Sequence, residues 1–366
     1  MSTPSSLSPL VDAVQFNCHV ADARHATDLT LCTYLLQMRE FYRWEQRLPL
    51  GAPLARDALG AWIAQREREW AQVEANEFLA LPLPAGGQTD PFDIDAITPA
   101  LASHGLAYGA ALAGRDRPGF FLAELDAVEV LDCGATLQVC GRELARGLFA
   151  PPAALIGDTI VLRRESLARW VWEMYESFGV RRADGAFKAV VDAYALDRDF
   201  HAALPRLLDE QGQTLVLHEI GEHRVRRRLD PGWAALRLAV TDRRIDLQLR
   251  AVRDLIADLE TTLPTLLERQ AVTALHFWFA AFDGHRALLC PELSTAYARW
   301  CTGDGGRALR TVCELSAAHF TALADELLAL HRQHGDDATP ALVERLARTD
   351  VVFRLRARRA RPCISA

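Results

Sequence analysis

Along residues 27–46, apolar side chains recur at Leu31, Tyr34, Leu35, Met38, Phe41 and Tyr42. Steps of three and four put them on one face of an amphipathic helix. Thr27 or Asp28 is placed to cap its start, and Pro49 follows its end. A second helix is predicted over residues 54–75, with Trp62 and Trp70 two turns apart on one face. Its alternating Arg and Glu residues form a solvated face opposite. From residue 81 the texture changes. Pro, Gly and Asp punctuate residues 81–93 as a loop. Short runs at 108–112, 119–125, 128–132 and 137–141 read as strands of an antiparallel meander, with turns at 115–119 and 132–136. A further strand at 158–163 leads into a helix over 165–178.

Beyond residue 185 the 3.6-residue period resumes and persists to about 348. It is clearest over 245–262, 263–279, 308–333 and 340–347, with breaks at Pro231, Pro264, Pro291 and residues 303–306. There is no internal repeat of 30 to 50 residues, which argues against a solenoid. The economical architecture is mainly α. A helical domain is formed from both ends of the chain (1–84 with 164–350), a small α+β insertion occupies 85–163, and a basic tail occupies 351–366. A plain two-domain division near residue 163 is the alternative.

Composition narrows the functional classes. With 366 residues, half of them hydrophobic, the chain has material for about two domains. No run of about 18 apolar residues is present, so no membrane span is predicted. The opening residues lack a basic segment followed by a long apolar one, which points to the cytoplasm. Lys188 is the sole lysine among 41 basic residues, a bias expected of a GC-rich bacterial genome. The net charge of −7 disfavours general nucleic-acid binding, which calls for a basic domain. The eight cysteines contain no C-x-x-C pair, which removes zinc ribbons and thioredoxin chemistry and leaves free, structural thiols.

The chemistry concentrates at residues 214–229, TLVLHEIGEHRVRRRL. On a helix, His218 shares a face with Glu222 and Glu219 shares one with His223, the two faces turned by about 100°. Leu215, Val225 and Leu229 accompany the first pair; Val216 and Ile220 flank the second. Three readings stand: a hydrogen-bonded structural pair, metal ligation by imidazole and carboxylate, and a general acid–base couple. The segment departs from the zincin H-E-x-x-H, because Glu222 stands where the second His belongs. It also lacks the Glu-x-x-His of di-iron carboxylate bundles. A second constellation is His19, Asp22 and His25, spaced by three and flanked by Cys18, Arg24 and Asp28. It reads either as a polar helix with caps and ion pairs, or as further ligands that meet the 218–223 segment. The aromatic stretch 277–282 reads as core, or as a pocket wall with His285 or Arg286 facing a ligand.

The segment NCHVADARHATDLTLCTYLLQMREFYRWEQ, with the later HEIGE stretch, resembles an uncharacterised bacterial protein family without an established activity. The likeness covers about the first 45 residues and 215–225. It implies that His19, Asp22, His25, Arg39, Glu40, Trp44, Glu45, His218, Glu219 and Glu222 act together. The resulting expectation is a metal-dependent enzyme, hydrolytic or oxidative. His218, Glu222, His223, His19, Asp22 and His25 would ligate a divalent metal (iron, zinc or manganese), and Glu219 or Glu40 would accept a proton. Its partner would be a small-molecule substrate. The competing expectation is a non-catalytic interaction or regulatory protein, in which the His/Glu pairs stabilise buried helices and arginine-rich surfaces bind a protein partner.

Overall fold

The computed structural model describes residues 7–84, 86–112, 118–181 and 184–348. The predicted basic tail and most of the predicted turn at 115–119 lie outside the described residues. The chain divides into two compact units, Met1–Val180 and Arg181–Ala366. The first holds α1 (Ser8–His25), α2 (Leu31–Glu45), α3 (Arg56–Val73), α4 (Ile94–Ala102) and α5 (Arg164–Arg181, whose last residue falls past the boundary). It also holds strands β1 (Leu106–Leu112), β2 (Pro118–Val130), β3 (Thr136–Arg146), β4 (Ala153–Ile156) and β5 (Thr159–Arg163), besides a two-residue pairing of Leu81–Pro82 with Gln88–Thr89.

This division corrects the expectation of a helical domain built from both ends. The N-terminal helices belong with the sheet. Helix α1 lays Leu10, Val14, Cys18 and Ala21 against Phe120, Leu122 and Leu144 of the strands. A sheet with an apolar face must be covered, and the pattern along a strand says that a face is buried without saying by what. Helix α1 itself carries a weak apolar signal because polar residues interrupt its buried side. Buried Asn17 is satisfied by the main chain of Leu79, donating to its carbonyl at 2.9 Å and accepting its N–H at 2.7 Å.

The sheet order is β1-β2-β3-β5-β4. It is not a pure antiparallel meander, because β3 and β5 run parallel. After β3 the chain passes Pro151-Pro152 and forms β4 as an edge strand. It then turns at Gly157 (φ +58°) and returns as β5 between β4 and β3. Strand β2 is continuous where two strands were expected. Register shifts between Leu122 and Ala127 break the two-residue alternation there, as bulges do.

The second unit is all helical: α6 (Ala186–Tyr194), α7 (Phe200–Leu229), α8 (Gly232–Ala239), α9 (Arg243–Ala257), α10 (Leu263–Glu268), α11 (Val272–Ala280), α12 (Gly284–Leu289), α13 (Glu292–Cys301), α14 (Arg307–His334) and α15 (Thr339–Ala347). One apolar core joins Val225 and Leu229 of α7, Leu249, Val252 and Ile256 of α9, Trp278 of α11 and Phe320, Leu323 and Leu327 of α14. The helix predicted over 263–279 is broken at Gln270, which adopts φ +53°. Between α9 and α10, residues Asp258–Thr262 form one π-helical turn. Pro264 supplies the reason: it has no N–H for the carbonyl of Glu260 and its ring crowds that carbonyl, and the wider turn relieves both. Among the described residues no helix is long and apolar enough to cross a membrane.

Phe320 is among the largest fully buried side chains. Phe320→Ala is expected to lower unfolding free energy by about 3–5 kcal/mol, read as a fall in the denaturation midpoint in urea.

Candidate metal centre

Helix α7 is 30 residues long and capped by Asp199, whose carboxylate accepts the N–H of Ala202. Its last three turns carry the HEIGEH segment. Glu219 and His223 are buried; His218 and Glu222 are half-buried. The opposing wall is the end of α9 with the π-helical turn. The two helices meet at Gly221, where an added methyl group would lie 2.6 Å from the carbonyl oxygen of Ala257. Only a residue without a side chain permits that approach.

The approach places Asp258 against His218. Asp258 is fully buried, and its carboxylate takes three partners. His218 Nδ1 lies 2.8 Å from Oδ1, Trp278 Nε1 donates to Oδ1 at 3.1 Å, and an Arg286 guanidinium nitrogen donates to Oδ2 at 3.0 Å. With Nδ1 so engaged, Nε2 of His218 turns to Glu222, 3.6 Å from Oε1. Glu222 also receives Arg253, at 2.9 and 3.0 Å, and shares a hydrogen bond with Asp254. His218, Glu222 and Asp254 each offer a ligand atom within 4.8 Å of the other two, the one such group of three among the described residues.

The charges are strongly coupled. Burial alone would raise Asp258, yet His218 first, with Arg286 and Trp278, holds it below the usual carboxylate range. Against its own burial, His218 is raised well above its ordinary value, by Asp258 and then Glu222. Burial opposes ionisation of Glu222 too, but Arg253 and His218 hold it far down. The neighbours bear the cost. Burial and the Glu222 charge push Glu219 up to about 8 and Asp254 up to about 7.

The structure therefore brings together His218 and Glu222 of the predicted ligands and adds Asp254. Glu219 lies near enough to feel their charges, whereas His223 is buried and falls outside the group. Asp254, Asp258 and Arg253 were missed. Their signal was charge inside an apolar run: 249–263 buries Leu249, Val252, Leu255, Ile256 and Leu263 around them. Arg286 and Trp278 of the aromatic stretch serve the site by holding Asp258.

The N-terminal candidates belong to the first unit. His19 sits 3.2 Å from Trp70 Nε1 and 3.0 Å from an Arg66 nitrogen. Burial, then Arg66, pushes it down to about 3. Asp22 accepts the N–H of Leu148 at 2.8 Å, and His25 pairs with Asp28 at 3.6 Å. Glu40 is buried between Arg39 and Arg43, at 2.9 and 3.0 Å, as their counter-charge. Successive offsets of three drift around a helix, and each side chain here takes a different hydrogen-bond or ion-pair partner.

Models of one family match nearly the whole chain: the N-terminal domain of DUF6866, a family of unknown function, over residues 9–163, and its C-terminal domain over residues 168–349. No curated protein and no solved structure matches.

Two outcomes are expected. Gly221→Ala gains about 1 kcal/mol of helix propensity, but forcing α7 from Ala257 costs about 1–3 kcal/mol or more. Net destabilisation in a thermal melt is expected, opposite in sign to the propensity. Asp22, which faces Arg146 and Arg66, is raised to about 7 by burial, against the Leu148 N–H and those arginines. The native state thus holds a proton that the unfolded chain has lost above about pH 4. This contribution is complete below that pH and is lost as pH rises towards 7. Asp22→Asn is expected to gain stability relative to the parent as pH rises from 4 to 8, measured by urea unfolding at each pH.

Proposed function

The chain belongs to the DUF6866 family, and we propose that its C-terminal domain carries a divalent-metal centre ligated by His218 Nε2, Glu222 and Asp254. The observation that carries this reading is the Asp258–His218 bond. A carboxylate on one ring nitrogen, with the other nitrogen turned toward two further carboxylates, is the outer-sphere arrangement that orients metal-binding histidines. One imidazole and two carboxylates suit iron, manganese or zinc. Three protein ligands leave coordination positions for water and a substrate. The chemistry is activation of water, or of dioxygen, toward a small-molecule substrate; Glu219 beside the ligands is protonated without the ion, and the charge of a bound ion would lower it to the carboxylate that accepts a proton. This makes the protein a metal-dependent enzyme, hydrolytic or oxidative.

A second reading has its own support. Asp258 with His218 and Arg286, and Glu222 with Arg253, already pair their charges. Such a network holds α7 to α9 without a metal, as in a non-catalytic interaction protein.

Elemental analysis of untagged protein, followed by calorimetric titration with Mn²⁺, Fe²⁺ and Zn²⁺, separates the two. The metal centre requires one ion per chain, lost in His218→Ala and in Glu222→Gln variants whose circular dichroism is unchanged. Asp258→Asn should weaken affinity by about 10- to 100-fold. At a hundredfold excess over the dissociation constant, the bound ion adds about 2.7 kcal/mol of stability. A protein that binds none of the three ions refutes the centre and leaves the structural network.

A further inference from the structure

In the first unit, apart from the candidate metal centre, a cleft of about 490 Å³ opens between the end of α1, the start of α2 and the last two turns of α3. That volume falls within the range of small-molecule sites. Helix α3 and its C-terminal cap give it one face: Glu67, Trp70, Ala71 and the cap residue Glu74, at offsets of three, four and seven. Tyr34 and Leu31 of α2 stand opposite, and Ala23, Ala26, Thr27 and Leu29 close the end.

The chemistry of this lining is one-sided. Its body is apolar and aromatic, its two charged members are both carboxylates, and none of its residues is basic. The adjacent guanidinium groups are engaged elsewhere. Arg24 donates to the carbonyls of Glu74 and Asn76 and lies over Phe78. Arg66 is held by Glu45, by Glu69 at 2.9 Å and by His19. Glu67 accepts the Tyr34 hydroxyl at 2.9 Å, which bridges α2 to α3 across the cleft and neutralises no charge. Two unneutralised carboxylates beside a Tyr and a Trp ring attract a cation with an apolar body, through charge and through the ring faces. A neutral apolar molecule would leave the carboxylates unused, and an anion would be repelled.

We propose that this cleft binds a small organic cation, an amine or quaternary ammonium on an apolar body of about the size of one aromatic ring. The head group lies between Glu67 and Glu74, and the body rests against Trp70, Tyr34 and Leu31. Titration calorimetry of the full chain with benzylamine, benzyltrimethylammonium and the neutral benzyl alcohol tests this. The two cations should bind at one site, at least about tenfold more tightly than the alcohol, and more weakly as salt rises. Equal affinity for both cations marks recognition by charge and ring face alone, and a preference for benzylamine marks hydrogen bonding to the carboxylates; each supports the site. Glu67→Gln/Glu74→Gln should remove the preference over the alcohol. Ala71→Phe, at an exposed position, should fill the cleft and abolish binding with an unchanged melting temperature. Binding of neither cation, equal binding of the alcohol, or binding that survives both variants would overturn the proposal.

Discussion

A carboxylate with no access to water organises the second unit. Asp258 is fully buried, and a charge in that position is costly unless it is paired and hydrogen-bonded. Its partners come from three helices: His218 from α7, Trp278 from α11 and Arg286 from α12. Satisfying one side chain therefore fixes the register of three helices against the π-helical turn that carries it. Arg286 adds a bond to the carbonyl of Ala281 at 2.8 Å, which ties α12 to the end of α11. The missing side chain at Gly221 and the missing N–H at Pro264 serve the same end, one by admitting α7 and the other by widening the turn.

The first unit meets the same constraint with arginine. Glu143 is fully buried on β3 and stays ionised despite burial because Arg163, then Arg146, face it. Ser166 adds a hydroxyl at 2.5 Å. Arg169 bonds Glu165 at 2.8 Å along α5, and Arg43 bonds Glu40 along α2. A planar guanidinium with five donors serves several acceptors at once and stays charged when buried, which an ammonium does less well. A near absence of lysine thus has an interior consequence. Arginine pairs the carboxylates within the sheet and along the helices.

Between the candidate ligands the balance is finer. His218 is charged because Asp258 and Glu222 flank it, and Glu222 is charged because Arg253 and His218 do. A metal ion at this point would take over the compensation that the imidazolium proton and Arg253 supply, because ligating imidazole must be neutral. The same residues form an ion-pair network that staples α7 to α9 and, with an ion bound, would form a coordination set. The two states would differ in one proton and one cation.

The sequence by itself determined the helical character of most of the chain, the small sheet and the pairing of His218 with Glu222. These follow from local quantities: the period of apolar residues and the spacing of His and Glu on one helix. Tertiary structure decided the rest. Which helix covers the sheet, and that β5 returns parallel beside β3, depend on contacts between distant segments. His218 and Glu222 were legible because they share a helix face. Asp254 and Asp258 were not, because they reach His218 only across the Gly221–Ala257 approach. His19, Asp22 and His25 show the converse. Their spacing suggested one cluster, but each is turned to its own neighbour, and the partner that buries a side chain sets its role more than the residue beside it in the chain.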